Sequence, residues 1–349
     1  MKRTLYILGF LLLTLVTIPL PAQVSNGLYR ALTDCNSARV VALGGLPLPV
    51  HDGDLQTVVF NPSAISPEMN NQLTLNYVGD FNVGTNFATA QFSHTFEGIG
   101  SYAASVQYYN YGAMQYASES SYTDGSTFNV SDYAIILGWG RELSDKWSIG
   151  ANLKYAGVQY ESGSAGALGV DVAATYWSYS NWAFTLAARN IGRQLFAKDL
   201  NVENKWLPFS LDFMASKKLN HLPLTIIVGY KDIQHWNKLY QDPLDLAGYY
   251  DPITGEYQEP SKAAKFFTNL GCHLVVGGEL AIGKNLFLRA SYNYETHRNM
   301  GVPKARSLVG FSAGFGVRIK AFQIDYARSR NNIVGSSNFL TLRVDLSKF

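Results

Sequence analysis

From about residue 71 to the C-terminus the chain repeats one pattern: apolar and polar residues alternate with period two, segment after segment. In 148–155, Ile149, Leu153 and Tyr155 alternate with Ser148, Asn152 and Lys154. In 168–176, Leu168, Val170, Val172 and Tyr176 oppose Gly169, Asp171 and Thr175. In 286–295, Leu286, Leu288, Tyr292 and Tyr294 alternate with Arg289, Ser291, Asn293 and Glu295. The last such run sets Leu340, Leu342, Val344 and Leu346 against Thr341, Arg343, Asp345 and Ser347. Successive side chains of a strand point to opposite faces, so each segment has one apolar and one polar face. No stretch after residue 22 approaches the 18 consecutive apolar residues that a membrane helix needs. Two all-β solutions remain, a soluble sandwich and a transmembrane barrel, since both alternate.

Three features favour the barrel. The segments are about 9–12 residues long, the length with which a tilted strand crosses a bilayer. Trp139, Trp147, Trp177 and Trp182 stand at expected strand ends beside short turns, where an interfacial aromatic girdle belongs. The connections also sort into two kinds. Those at 97–100, 142–146, 178–181, 219–222, 283–285 and 319–321 are short. Those at 79–85, 112–127, 159–166, 192–207, 231–270, 297–305 and 329–336 are longer, and the two kinds interleave strictly. Such alternation is expected when one end of a barrel faces the periplasm and the other the exterior. The expectation is an all-β, 14-stranded antiparallel transmembrane barrel over 71–349. An even strand number returns both termini to the periplasmic side.

The first 70 residues follow other rules. Lys2-Arg3, an apolar run from Leu5 to Ile18 and the small Ala22 before Gln23 read as a secretory signal peptide over 1–22. About 14 apolar residues are too short for a spanning anchor of about 20, and no cysteine follows for lipid attachment. Residues 23–70 are punctuated by Gly, Pro and Asp too often for a barrel strand, yet Val40, Val41, Leu43, Val58 and Phe60 call for burial. A hatch folded inside the lumen satisfies both facts; a small periplasmic cap is the alternative. Asn61-Pro62 would turn the chain from the hatch towards the first strand, because Pro holds the residue before it extended.

Composition excludes further classes. Charged residues make up only 15% of the chain beside 22 Tyr and 19 Phe, which is unlike a disordered segment or a coiled coil. Without Lys2 and Arg3 the basic residues number 26, equal to the 26 acidic ones, and no dense basic block exists. Nucleic acid is therefore not an expected partner. No G-x-S-x-G, P-loop, H-E-x-x-H or C-x-x-C motif occurs. Asp171 with Lys154 and Arg289 with Glu279 could mark an active site in a lumen, but with no nucleophile and base they are better read as pairs neutralised around the hatch. His51-Asp52-Gly53-Asp54 reads as a turn rather than a metal site, for want of further ligand spacing. No catalytic residue, metal or cofactor is expected, and Cys35 and Cys272 are too few for a disulfide scaffold. The longest loop, 231–270, carries Trp236, Tyr240, Tyr249, Tyr250 and Tyr257 among acidic residues, and Trp206 sits in the loop 192–207. Aromatics in loops of this length point to a binding surface; a mobile loop is the alternative.

The segment Ala38-Arg-Val-Val-Ala-Leu-Gly-Gly45, the acidic pair near Asp52, and Asn61-Pro-Ser-Ala64 resemble the hatch motif of FadL-type and PorV-type outer-membrane barrels. On that resemblance the hatch residues are Arg39, Gly44, Gly45, Asp52, Asn61 and Pro62, with Ser63 where the family usually carries Ala. Further segments resemble the PorQ-like barrels of the type IX secretion system. Among them are Gln107-Tyr-Tyr-Asn-Tyr-Gly112, Arg189-Asn-Ile-Gly-Arg-Gln-Leu195 and Gly310-Phe-Ser-Ala-Gly-Phe-Gly316. The resemblance implies a non-enzymatic outer-membrane barrel in a cell-surface attachment complex. Its partner would be a PorZ-like surface protein and, through it, a PorU-like sortase and a PorV-like barrel, acting beside outer-membrane lipid and lipopolysaccharide. The hatch motif alone would equally suit a FadL-like transporter of hydrophobic small molecules. Lateral release through the wall would then need a broken strand, whereas 101–111 contains neither Gly nor Pro.

Overall fold

The computed structural model describes residues 28–80, 85–115, 127–161, 163–200, 205–238, 249–250, 257–258, 261–301, 307–333 and 335–349. The expected signal peptide lies outside these residues. Fourteen strands close into one antiparallel barrel: β1 (Gln72–Asp80), β2 (Thr85–Phe96), β3 (Gly100–Gln115), β4 (Thr127–Ser144), β5 (Trp147–Tyr160), β6 (Gly163–Trp177), β7 (Trp182–Lys198), β8 (Ser210–Lys218), β9 (Leu224–Tyr230), β12 (Leu274–Ile282), β13 (Leu286–Asn293), β14 (Phe311–Ile319), β15 (Phe322–Ser329) and β16 (Ser337–Asp345). The intervening β10 (Tyr249–Tyr250) and β11 (Tyr257–Gln258) form a separate hairpin in the longest loop. Closure is made by β1 pairing with β16, from Gln72 opposite Asp345 to Gly79 opposite Asn338.

The alternation in the sequence becomes the two faces of the wall. Leu75, Val106, Ile135, Leu137, Leu153, Leu186, Val276, Leu288, Ile324 and Leu340 stand exposed on the outside, as an apolar belt must when lipid is the solvent. Thr74, Gln91, Asn152, Asp171, Asp212, Arg289 and Asp325 are buried within. A closed barrel satisfies its backbone groups by pairing each strand to the next, which is the condition for crossing a bilayer. The short turns gather at one end, the periplasmic or inner end, and the longer connections at the outer end. Below the apolar belt runs an aromatic girdle: Trp147 lies 4.9 Å from Tyr176, Trp182 stacks on Phe184 at 5.8 Å, and Phe349 meets Phe322 edge-on at 5.7 Å.

Four details differ from the sequence reading. The connection expected at 159–166 is shorter than that, because β5 and β6 continue pairing from Trp147–Tyr176 to Tyr160–Gly163. Tyr294 and Glu295 do not extend β13; they open the helix α4 (Tyr294–Met300), capped by the Asn293 side chain, which accepts from the Thr296 N–H. Leu346 leaves β16 for a short 3-10 turn at Leu346–Lys348. Trp177 turns inward at the inner rim, where its ring meets His51 at 4.7 Å, while Trp147 and Trp182 face outward. The wall is also uneven. Strands β3 to β7 have 14 to 18 residues while β8, β9 and β12 to β16 have 7 to 9. The difference of about eight residues adds roughly 20 Å of wall once strand tilt is allowed for. It stands at the outer end, since β7 runs on to Lys198 whereas its pairing with β8 stops at Arg189.

The segment before β1 fills the lumen, as the hatch reading requires. It contains helices α1 (Arg30–Thr33) and α2 (Ala38–Ala42), then 3-10 turns at Leu55–Thr57, Pro62–Ala64 and Pro67–Met69. Val40, Leu43, Leu46 and Leu48 pack on Met214, Ile227 and Val275 of the wall. Phe60 and Val59 meet Ile136, and Val58, Ala64 and Ile65 pack with Ala103. Burial of these apolar side chains, each contributing about 1.5–3 kcal/mol, holds the plug in place.

Candidate functional site

The hatch is latched to the wall by buried charge. Ser37 caps α2, its Oγ accepting from the Val40 N–H, and this turn delivers Arg39 into the lumen. Arg39 is paired with Asp52 at 2.5 Å, Asp54 at 2.7 Å and Glu279 on β12 at 3.2 Å. Glu279 also accepts from Arg289 on β13 at 2.6 Å, and Arg289 reaches Asp325 on β15 at 2.5 Å. Gln56 of the hatch donates to Asp325 at 2.6 Å, and Arg343 on β16 donates to the Gly53 carbonyl at 3.2 Å. Burial alone would raise the Asp54 carboxyl, but Arg343 and Arg39 outweigh it and hold it well below the usual carboxylate range. Every charge here has a partner of opposite sign, which buried charges require.

Glycines let the hatch backbone approach the wall. At Gly138, Gly140 and Gly150 a Cβ would collide with the turn from Pro62 to Ile65, in the last two cases with its backbone. In that turn Asn61 donates through Nδ2 to the Leu48 carbonyl at 2.8 Å and accepts from the Ser63 N–H, while Pro62 begins the 3-10 helix. Gly44 sits at φ 108° against Val275, where a side chain would meet both strain and a clash. Gly45 also has positive φ but faces open space.

A second set of buried charges lines the opposite wall. Lys154 pairs with Asp171 at 2.5 Å and donates to Asn190 at 3.2 Å. Asn190 adopts a left-handed conformation at φ 56°, its N–H donating to Asp171 at 2.7 Å. Arg189 pairs with Asp212 at 2.7 Å and lies 4.8 Å above the Phe60 ring, which ties this wall to the hatch. Both pairs read from the sequence, Lys154–Asp171 and Arg289–Glu279, therefore form in the lumen. Asp54, Gln56, Asp325 and Arg343 escaped that reading, although the inward parity of Asp325 and Arg343 was a usable signal.

Above the hatch, two cavities of about 560 and 370 Å³ open at the outer end. Both are lined mainly by Ser, Thr, Asn and charged side chains, with Gly44 and Gly45 at both. The loop after β9 is pinned here: the Asp232 N–H donates to Asp212, Ser210 donates to Asp232, and Lys238 pairs with Asp232 and Glu295. Burial would raise the Asp232 carboxyl, yet Lys238 beside it brings it down to about 2.

The loop aromatics divide. Trp236 is 41% exposed, stacks on His273 at 5.7 Å and meets Phe266 at 5.1 Å. Phe266 and the 67%-exposed Phe267 belong to a helix unforeseen in the sequence, α3 (Lys262–His273), capped by Ser261. Trp206 is 48% exposed and holds Arg193 over its ring at 5.6 Å, far along the chain from the Trp236 cluster. Tyr249, Tyr250 and Tyr257 fall on the β10–β11 hairpin, and Tyr240 lies outside the described residues. Cys35 and Cys272 are free thiols, and burial pushes the former up to about 12. No group of three or more His, Cys, Asp or Glu residues among the described residues could hold a metal ion.

No family model matches the sequence, and no curated protein matches it. Among solved structures the chain is similar to the toluene transporter TodX of Pseudomonas putida, with 14% identity and a TM-score of 0.50 over 89% of this chain and 97% of that one. A second structure of the same transporter gives 13% identity and a TM-score of 0.50 over 88% and 96%. A FadL homologue of Pseudomonas aeruginosa is similar at 11% identity and a TM-score of 0.48, over 90% and 98%. The chain thus has the fold of a FadL-like 14-stranded outer-membrane barrel.

Proposed function

We propose that this chain is a hatch-sealed outer-membrane barrel that anchors a surface protein on its outer loops, in the manner of PorQ-like barrels of the type IX secretion system. The observation that carries this reading is the cluster of Trp236, Phe266 and Phe267, which stands exposed on loops pinned to the barrel. Exposed aromatics held on a rigid base suit a protein interface, since little ordering entropy remains to be lost on binding. In this reading the chain is exported with a cleaved signal peptide, is not an enzyme and needs no cofactor. It holds a PorZ-like protein and, through it, a PorU-like sortase and a PorV-like barrel, which join cargo to anionic lipopolysaccharide. Purification of the intact barrel in mild detergent should bring down the surface partner, and recovery of a lone barrel from several mild detergents refutes the proposal.

The second reading is transport of a hydrophobic small molecule, which the fold likeness to a toluene transporter favours. Two features weigh against it. Both outer cavities are predominantly polar, and β2 pairs with β3 without a register break from Asn86–Asn110 to Phe96–Gly100, although β3 includes Gly112, beyond the 101–111 read from the sequence, and bulges there between Asn110 and Ala113 on its β4 side. Saturable, stoichiometric binding of a fatty acid to the purified barrel would make transport the better reading.

A further inference from the structure

The short turns at the inner end do not share charge evenly. Along one arc of the rim, from β8 to β15, each turn is hydrogen-bonded through its backbone to the next. The Pro223 carbonyl accepts from the Ala281 N–H, the Asn285 carbonyl from Arg318, and the Ala321 carbonyl from Asp345 of the C-terminal turn. With the residues that flank them, the three turns of this arc run over 217–223, 282–286 and 318–322. They carry Lys217, Lys218, Lys284, Arg318 and Lys320 and not one Asp or Glu. In the C-terminal turn Lys348 is paired with Asp345 at 2.9 Å. The facing arc differs. Its turns at 97–99 and 141–146 set Glu97, Glu142 and Asp145 against Arg141 and Lys146, and the hatch exposes Asp52 and Glu68 at the same end.

The four lysines stand where the wall meets lipid. Lys218, Lys284 and Lys320 are exposed, and among the described residues no carboxylate pairs with any of them or with Lys217. Lys217 shares the outward parity of Phe213 and lies opposite Trp182, its Nζ 5.2 Å from that ring and donating to the Ser180 carbonyl. Lys320 sits between Ile319 and Phe322, and Lys284 follows Ile282; all three apolar side chains are exposed on the outside of the wall. An ammonium just beyond a lipid-facing apolar residue lies at headgroup level, its stem covering apolar surface. Arg318 is different: it turns to the lumen, donates to Gln323 and lies over the Phe287 ring.

Unpaired cations in a row call for an anionic partner, and their apolar neighbours decide which kind. An acidic protein arriving from the periplasm would meet the lysines but not Ile282, Ile319 and Phe322, which the bilayer covers. A glycerophospholipid meets both, its headgroup on the lysines and its acyl chains on the apolar side chains beside them. Neighbouring turns are two strands apart, about 10 Å, so the lysines of adjacent turns reach into one layer of headgroups. Each lysine near an anionic lipid surface strengthens attachment by about fivefold. A zwitterionic headgroup brings no net charge and gains little of this.

We propose that the inner rim from β8 to β15 is a binding surface for anionic glycerophospholipid, with Lys217, Lys218, Lys284 and Lys320 holding the headgroups. The test is native mass spectrometry of the full mature chain in a neutral detergent, offered equal amounts of phosphatidylglycerol and phosphatidylcholine with the same acyl chains. The barrel should retain about tenfold more phosphatidylglycerol than phosphatidylcholine. Lys218→Ser, Lys284→Ser and Lys320→Ser together should bring the ratio to about one, whereas Arg141→Ser with Lys146→Ser on the facing arc should leave it within about two-fold of native. Heat-modifiable migration on gels verifies that each variant has folded. Independently of any variant, phosphatidylglycerol with a photoreactive headgroup should crosslink to 217–223, 282–286 and 318–322 of the native chain. Equal retention of the two lipids, a preference that survives the three serines, or crosslinks confined to the facing arc overturns the proposal. Binding of poly-glutamate that depends on the three lysines, with no lipid preference, would assign the arc to an acidic protein and overturn it as well.

Discussion

Replacing Arg39 by Met keeps the stem of the side chain and removes its charge, which isolates the latch between hatch and barrel. In the native protein the guanidinium faces three carboxylates, of which Asp54 is fully buried. Breaking a buried pair by deleting one partner costs about 3–5 kcal/mol, because the remaining charge is stranded. Two cations stay behind: Arg343 at 3.5 Å from Asp54, and Arg289 at 2.6 Å from Glu279. The loss should therefore fall at the lower end, about 3 kcal/mol, which raises the undocked hatch population by roughly a hundredfold at 1.4 kcal/mol per decade. Planar-bilayer recording reads this directly as the frequency of open events, and limited proteolysis of hatch peptide bonds gives a second measure. Adding Asp54→Asn removes the stranded charge and should restore most of the docking. Acid should mimic the substitution only late. The folded Asp54 carboxyl lies below its unfolded value, so its contribution is complete above the unfolded value near 3.9 and is lost only as pH falls through the lower folded one. The Asp54 contribution to docking should thus be constant from pH 8 to pH 5. If Arg39→Met leaves opening frequency and protease resistance within two-fold of native, the latch is not what holds the hatch.

Three other outcomes follow from the same geometry. Deleting residues 23–66 should convert negligible conductance into a large, stable one, since a 14-stranded barrel is wide enough to hold a channel once emptied; large conductance from the intact protein would contradict the plug. Gly150→Ala places a methyl against the Pro62 carbonyl and the Ser63 amide, so it should loosen the hatch by about 1–3 kcal/mol while the barrel still folds, as open events and heat-modifiable migration would report. Replacing Trp236, Phe266 and Phe267 together by Ser should abolish co-purification of the surface partner without altering the melting of the barrel; undiminished recovery would move the interface elsewhere.

Period-two alternation and the sorting of most connections into short and long were enough to specify a closed 14-stranded barrel, because a strand between lipid and lumen has no other way to place its two faces. The hatch was legible for the same reason: Val40, Leu43, Val58 and Phe60 demand burial in a segment that Gly and Pro keep from joining the wall. Alternation is silent, however, about where a strand stops, since a residue above the membrane alternates like one within it. The extra height of β3 to β7, and the pairing of β5 with β6 as far as Tyr160 and Gly163, thus emerged only from the structure. The helix carrying Phe266 and Phe267 buries Asn269, Cys272 and His273 and leaves the two phenylalanines exposed, so its inward face is not the apolar stripe by which a helix is recognised in a sequence. Arg39 was named by resemblance, but its link to Glu279, 240 residues away, is a matter of register and closure. The same holds for Gly150 beneath Pro62: the residue is ordinary in its own strand, and only bringing the hatch to that axial level gives it a neighbour.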